Sequence, residues 1–524
     1  MARATRPAAD GGAPGGRRAG HVFDSGQARS AVALLVLAWL PIVAWHEHVA
    51  FRATSASCAW PELEGSTSAS PDARVAVIAD PQVTDFTSYR SFAPKGSWTL
   101  AAIERVSDAY QHRAFRMAVL PKRPDHVLFL GDLLDGGWLT ADDETFDATA
   151  RRFERIFRWP SRRDALGDAP TEKKKKYLSV HGNHDVGYAS RAESFPEIRA
   201  RHESRFGVSN YLEVVGGVEL VGVNAMALDG DPRSRATRDA WAFADALAGN
   251  GSASSSPPRV LVTHLPLPKA SYAPGSCGEA RFGPVIQPRT RRTRRGVEYQ
   301  DYLSDASAAR LLRAARPALV LAGHDHDRCA ARHEIPEAES GAGTGSGDGD
   351  AAGDATGRRS DDPKAAARAT VTELTLGTFS WLMGNPKPSF ALMTLRGERP
   401  AAAEGNARHV DTAICELPEH LAGVWSYAYL GGVSALVLLV WPSLRISAAF
   451  MRSGDVEAFA RRAGIEPKAK KSAFASGAKR ADPVATWTRV VAAALWRHCG
   501  PFFVALALVL GGIAGGTLWD LSRP

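Results

Sequence analysis

The chain has 524 residues, 45% of them hydrophobic, which is enough for one large globular domain with membrane segments beside it. Its net charge is +8, gathered at Arg17–Arg18, Lys173–Lys176, Arg289–Arg295 and the stretch Arg461–Arg480. These runs lack the interleaved aromatic residues of a base-stacking surface, which argues against nucleic acid as a partner, and the five cysteines form no CxxC pair, which argues against a structural zinc site.

Residues 1–28, rich in Ala, Gly and Arg, are expected to be disordered. Residues 29–51 then read as a first transmembrane helix. Its apolar run from Ala31 to Trp45, with flanking residues, approaches the ~20 positions that cross a bilayer. A cleaved signal peptide is the competing reading, with Ala53–Ser57 as the cleavage region, and both readings send the middle of the chain out of the cytosol. Two more apolar spans follow at 421–443 and 499–519. The loop between them, 444–498, carries eleven Lys and Arg against four acids, so the positive-inside rule places it in the cytosol. Arg17, Arg18 and Arg29 place the N-terminus on the same side, which leaves residues 70–400 in the lumen of a secretory compartment. Asn250-Gly251-Ser252 in that stretch is a glycosylation sequon.

Within 70–400 the spacing predicts strands at Val75–Ala79, Val127–Leu130, Tyr177–Val180, Leu220–Val223, Val260–Thr263 and Ala318–Ala322. Helices are expected between them at Trp98–Val119, Glu144–Phe157, Thr237–Leu247 and Ser304–Ala314. The alternation argues for an α/β fold with buried sheets. Residues 336–368 are low-complexity and read as a disordered insertion.

The strand ends carry the chemistry. They read Asp80-Pro81-Gln82, Gly131-Asp132-Leu133-Leu134-Asp135, Gly182-Asn183-His184-Asp185, Thr263-His264 and Gly323-His324-Asp325-His326-Asp327. One Asp or His after a strand is an ordinary cap. Five endings rich in carboxylate, imidazole and amide, at the positions where α/β folds place their sites, point to a shared metal centre. Mixed oxygen and nitrogen donors suit Mn²⁺, with Fe and Zn²⁺ as alternatives.

In this order the blocks resemble the calcineurin-like metallophosphoesterase superfamily, and the resemblance runs from about Val75 to Leu395. It implies two packed β-sheets flanked by helices, and two divalent metals bridged by Asp132. One metal would also hold Asp80, Gln82 and His326, the other Asn183, His264 and His324. His184 would act off the metals, on the phosphate or the leaving oxygen. Gln82 departs from the superfamily's usual histidine. Asp80-Pro81-Gln82, Ser276-Cys277-Gly278, Gly296 with Tyr299-Gln300, Asp325 to Cys329, and Ser380-Trp381 with Met383-Gly384 are similar to the membrane-bound subgroup that remodels glycosylphosphatidylinositol (GPI) anchors.

That resemblance implies an endoplasmic reticulum or Golgi enzyme that removes ethanolamine phosphate from GPI glycans, with GPI lipids or GPI-anchored proteins as substrate and cargo receptors as further partners. Two other readings stay open. One is a luminal phosphatase or pyrophosphatase for nucleotides or lipid headgroups, and the other is a non-catalytic metal- or cargo-binding protein. If the loops after His264 and His326 both approach the metals, Cys277 and Cys329 are a candidate disulfide. Cys58 and Cys415, near the membrane segments, are a second. Arg289–Arg295 reads either as a grip on anionic groups or as a solvated loop.

Overall fold

The computed structural model describes residues 25–62, 73–140, 142–160, 176–190, 195–249, 257–269, 277, 289–294, 296–337, 369–397 and 409–453. Residues 1–24, Asn250, the sequon that contains it, residues 338–368 of the insertion, most of the basic loop and the third apolar span lie outside them. The first helix, α1, spans Ser25–Ala44, so its first turn occupies residues expected to be disordered.

The strand-length runs are apolar on both faces because each strand is covered on both sides. In β1 (Ala73–Ile78), Val75 and Val77 face one core while Ala76 and Ile78 face another. β2 (His126–Phe129) repeats this with Leu128 on one side and Val127 and Phe129 on the other. β3 (Tyr177–Ser179) pairs parallel to β2, and β2 pairs parallel to β1.

A second sheet obeys the same rule. It is built on β4 (Tyr211–Val215), β5 (Val218–Gly222), β6 (Arg259–Val262) and β9 (Leu319–Ala322). Val260, Val262 and Leu321 share the core of Val75 and Leu128, and Leu261 and Val320 face outward. Between β6 and β9 lies a separate antiparallel hairpin, β7 (Thr290–Thr293) and β8 (Gly296–Gln300). The later strands β10 (Cys329–Glu334), β11 (Thr370–Thr375), β12 (Ser389–Leu395) and β13 (Val410–Glu416) complete two mixed sheets. Their orders are β13-β12-β1-β2-β3 and β10-β11-β9-β6-β5-β4. The central core is the seam between the sheets, and helices cover the two outer faces.

The helices lie close to their expected places. α2 (Ala50–Ser57) precedes β1, and α3 (Trp98–Arg113) follows it, continued by a wider π-helical turn at Ala114–Val119. α4 (Asp143–Phe157) starts where the Asp142 side chain accepts from Thr145 N at 2.7 Å. Its Phe146, Ala150, Phe153 and Phe157 line one face and bury against Phe129. The short α5 (Asn183–Val186), α6 (Pro196–Phe206), α7 (Ala225–Leu228), α8 (Arg235–Gly249) and α9 (Asp305–Ala315) follow. In α9, Leu311 and Leu312 close the outer core of the second sheet.

The chain divides into two compact units, one of Met1–Val43 with Val424–Leu518, the other of Ala44–Gly423 with Trp519–Pro524. In the first, α1 and the last helix, α10 (His420–Ser453), meet through Leu35, Trp39, Val43 and Leu438, with Trp39 Nε1 donating to Ser434 Oγ at 3.1 Å. Two helical stretches, Val32–Ser57 and His420–Leu438, are long and apolar enough to cross a membrane. In the second unit, a π-helical turn at Trp45–Val49 leads into α2. There Glu47 ion-pairs with Arg113, and Phe51 packs edge-on against Tyr110 at 5.4 Å, so α2 is fastened to α3. Cys58 is disulfide-bonded to Cys415, and Cys277 to Cys329.

Phe153 is fully buried and in ring contact with Phe129, Phe157, Trp159 and Phe206. Phe153→Ala leaves a cavity that its neighbours cannot fill, and is expected to destabilise the second unit by about 3–5 kcal/mol. Thermal melting of the detergent-solubilised protein measures this as a clear downward shift, whereas an unchanged midpoint would contradict the packing.

Candidate metal centre

The parallel strands of both sheets end at one place. Asp80 follows β1, Asp132 follows β2, Asn183 and His184 follow β3, His264 follows β6, and His324 and His326 follow β9. The two sheets therefore face each other across these loops. Two groups of donor atoms converge there, Asp132 with His264 and His324, and Asp80 with Asp132 and His326, each within 4.8 Å. Asp132 belongs to both.

The backbone is bent to bring them together. Asp80, Gln82, Asp132, His324 and His326 all have positive φ, between 37° and 71°. Non-glycine residues rarely adopt this region, and clustered exceptions mark sites where the surrounding structure enforces the geometry. Gly182 is required for a different reason. A Cβ there would stand 1.9 Å from Asp132 Oδ1.

Hydrogen bonds aim the side chains. His264 Nδ1 lies 2.7 Å from Leu130 O, and His326 Nδ1 lies 3.2 Å from Met383 O. Each ring donates to a carbonyl and turns Nε2 inward, as metal-ligating histidines do. His264 Nε2 is 3.1 Å from Asn183 Oδ1 and 3.4 Å from Asp132 Oδ2, so Asn183 joins the same group. His324 N donates to both Asp80 carboxylate oxygens at 3.0 Å. Gln82 Nε2 donates to Asp132 Oδ2 at 3.1 Å, while its Oε1 is buried with no hydrogen-bond partner.

That orphaned oxygen, two buried carboxylates and three histidines form a donor set that fits a pair of divalent cations. Buried acceptors of this kind are costly without a partner, and a cation supplies one. Asp80, Gln82, Asp132 and His326 would hold one cation, and Asp132, Asn183, His264 and His324 the other.

The electrostatics agree. Burial raises Asp80 to about 8, against the pull of His264. Burial also opposes the charge on Asp132, but His264 and His184 outweigh it and hold that carboxylate below the usual range. Burial works against protonation of His264, yet Asp132 and Asp80 raise it to about 9. His324 is pushed down to about 3 by burial and by His264.

His184 sits beside this set. Its N donates to Asp132 Oδ1 at 2.8 Å, and its Nδ1 lies 2.6 Å from Asp135 O and 3.2 Å from Asp135 Oδ1. Burial lowers its basicity, but Asp132 and Asp135 raise it to about 10. Asp135 is thus a partner of His184, a role its place in Gly131–Asp135 did not reveal. Asp185 holds the loops together by accepting from Leu133 N, Leu134 N and Gly182 N at 2.9–3.1 Å. Tyr188 had no sequence signal. Its ring stands edge-on to His324 at 6.4 Å, and burial, then Asp132, hold its hydroxyl above the ordinary range. Behind the loop of His324 and His326, Lys269 Nζ lies between Asp325 Oδ2 at 3.6 Å and Glu373 Oε1 at 3.8 Å, with all three side chains almost wholly enclosed.

A profile of the calcineurin-like phosphoesterase family matches residues 73–328, the span that contains every residue of the two donor groups. Residues 73–328 form a calcineurin-like phosphoesterase domain. The chain is similar to Cell division control protein 1 of Saccharomyces cerevisiae, 28% identical over 58% of this chain and 57% of that one. It is also similar to Metallophosphoesterase 1 of Danio rerio, 26% identical over 57% of this chain and 74% of the relative. Metallophosphoesterase 1 of Mus musculus is 30% identical over 46% of this chain and 58% of its own length. The chain thus spans a little over half the length of the yeast and mouse relatives.

In the metal-free phosphoesterase domain, Asp80 near 8 and His264 near 9 both carry a proton at neutral pH. Cation binding must displace those protons. Mn²⁺ affinity is therefore expected to rise with pH and level off above about 9, with proton release at pH 7 seen as a buffer-dependent heat in titration calorimetry. An affinity flat between pH 6 and pH 9 would contradict this assignment.

Proposed function

We propose that this protein is a membrane-anchored, metal-dependent phosphodiesterase of the secretory-pathway lumen that removes ethanolamine phosphate from GPI-anchor glycans. The observation that carries the phosphodiesterase reading is the pair of donor groups sharing Asp132 with His184 beside them. When bound, two cations supply neutralisation of the phosphodiester charge and an activated water.

The chain's own residues do the rest. Asp132 and Asp80 anchor the negative side of the centre. Asn183 and Gln82 contribute neutral amide oxygens, which limit the charge that must be buried. His184 has its Nδ1 engaged by Asp135 and so offers Nε2. A histidine held protonated by two carboxylates is suited to give a proton to a departing alkoxide. Cations bound at Asp132 would weaken that hold and bring the group closer to neutral pH.

The GPI reading is supported by three things. The Asp80-Pro81-Gln82 ending is similar to the GPI-remodelling subgroup, and relatives named Metallophosphoesterase 1 match the domain. Two helices are long and apolar enough to cross a membrane, which favours a substrate that is itself lipid-anchored. Two disulfides suit an oxidising lumen. In this reading the basic loop after α10 is cytosolic and residues 70–400 are luminal.

His184→Ala is expected to keep its metal but lose about 100-fold or more in kcat on an alkyl phosphodiester. The loss should be far smaller on bis(p-nitrophenyl) phosphate, whose leaving group needs no proton. Equal losses on both substrates would remove His184 as the proton donor. Cells lacking the protein should accumulate GPI-anchored proteins with an extra ethanolamine phosphate, read by mass spectrometry of released glycans. Unchanged glycans would shift the reading to a luminal nucleotide or lipid-headgroup phosphatase.

A further inference from the structure

The phosphodiesterase reading uses the two donor groups with Asn183 and Gln82, and His184 with Asp135, yet an ordered path of side chains leads away from them. Tyr188 stands edge-on to His324 at 6.4 Å. Tyr299, on β8, lies 5.5 Å from Tyr188 with the rings tilted by 54°. The Arg289 guanidinium lies 5.4 Å from the Tyr299 ring, and its Nη2 donates to Tyr299 Oη at 3.2 Å. From there the path enters β7, whose four residues are all exposed and include Arg291 and Arg292, with Arg294 exposed at the turn.

The hairpin is fixed to the metal loops, so the path is part of the fold. Its turn rests on the segment after Tyr188, because a Cβ on Gly296 would come 3.7 Å from Ser190. Asp301 accepts from Tyr299 Oη at 2.5 Å and from Arg289 N at 2.8 Å. The next residue, Tyr302, donates to Asp325 Oδ2 at 3.2 Å, between the ligand candidates His324 and His326. Gln300 Nε2 donates to Asp229 Oδ2 at 3.2 Å, and Arg292 Nη1 donates to Asp229 O at 3.4 Å. Among the described residues the charge is only partly cancelled. Glu298 meets Arg291 at 3.5 Å and Asp301 meets Arg289 at 3.4 Å. Among the described residues Arg292 donates to a backbone carbonyl, and no carboxylate is paired with Arg292 or Arg294.

We propose that this path is a second substrate subsite. Tyr299, backed by the nearly buried Tyr188, takes the sugar ring next to the scissile phosphodiester, and Arg291, Arg292 and Arg294 take a second phosphate of the same molecule. Aromatic walls with a few placed polar groups are how small-molecule sites fix orientation, and guanidinium groups match phosphate oxygens in pairs. Core packing holds Tyr188, and a plain solvated loop explains the exposed arginines, but neither accounts for a partly exposed Tyr299 that is tied at once to Tyr188 and to Arg289 at the start of the arginine run. The subsite rests on the phosphodiesterase reading and narrows it to substrates that carry a second phosphate across a sugar from the bond that breaks.

The test separates the two claims. Full-length protein in detergent, loaded with Mn²⁺, is titrated calorimetrically at physiological ionic strength with thymidine 3′,5′-bisphosphate and with thymidine 5′-monophosphate. Hydrolysis of thymidine 5′-(p-nitrophenyl phosphate) is followed in parallel. The wild type is expected to bind the bisphosphate about tenfold tighter than the monophosphate. In R291Q/R292Q/R294Q that ratio should fall to within about twofold of one. Tyr188→Leu should weaken both nucleotides together by about fivefold. A wild type without preference, or a triple variant that keeps it, would overturn the subsite; a Tyr188→Leu variant with unchanged affinities would remove the tyrosines from it. If the preference is present and the ester is not hydrolysed, the subsite stands and the phosphodiesterase reading falls. If the ester is hydrolysed without the preference, the phosphodiesterase reading stands and the subsite falls.

Discussion

Asp132 is a buried carboxylate shared by two groups of candidate metal donors, and its burial constrains the domain around it. A second buried carboxylate, Asp80, belongs to one of the same groups; His264 and His184 hold the charge of Asp132, while burial raises Asp80 against the pull of His264 and the backbone N–H of His324. Like charges buried this close are unfavourable unless cations or donors answer them. The fold answers by ending parallel strands of two sheets at one seam and by forcing five non-glycine residues into left-handed backbone. The central core, in which Val75, Leu128, Val260 and Leu321 interlock, supplies the rigidity that holds those five in place.

Much of this was legible in the sequence because continuous apolar runs and their polar endings are local signals. The runs at Val75, Val127, Tyr177, Leu220, Val260 and Ala318 are strands within a residue or two. The ligand candidates stand at their ends because a chain leaving a buried strand has to turn there. What stayed hidden depends on contacts across long separations. β10 to β13 carry polar residues on one face or follow the low-complexity insertion, so periodicity did not mark them. Asp135 acts by turning back to His184, and Tyr188 by leaning on His324, and neither contact has a sequence period. Lys269 looks like a surface residue in sequence, but its ammonium is enclosed with Asp325 and Glu373.

The end of the first apolar segment shows how a charge is kept inside such a chain. Glu47 would be costly in an apolar helix by itself. It is paired with Arg113 of α3, while Phe51, one turn on, packs on Tyr110 of the same helix. Gln111, between those two α3 residues, donates to Pro81 O at 2.7 Å, and Pro81 separates Asp80 from Gln82. The segment that follows the first apolar run therefore braces α3, which in turn braces the loop of Asp80 and Gln82. The Cys58–Cys415 bond fastens the same junction to β13. The start of the second unit is thus held by an ion pair, an aromatic contact and a covalent bond, all within that unit.

The central claim is that one carboxylate, Asp132, joins two cations into a single centre. Electron paramagnetic resonance of the purified protein saturated with Mn²⁺ tests it most directly, because ions that share a bridging ligand couple magnetically. The account predicts an exchange-coupled dinuclear spectrum with two Mn²⁺ bound per chain, and its conversion to an uncoupled signal in Asp132→Asn. A wild-type spectrum of isolated, uncoupled Mn²⁺ would contradict it.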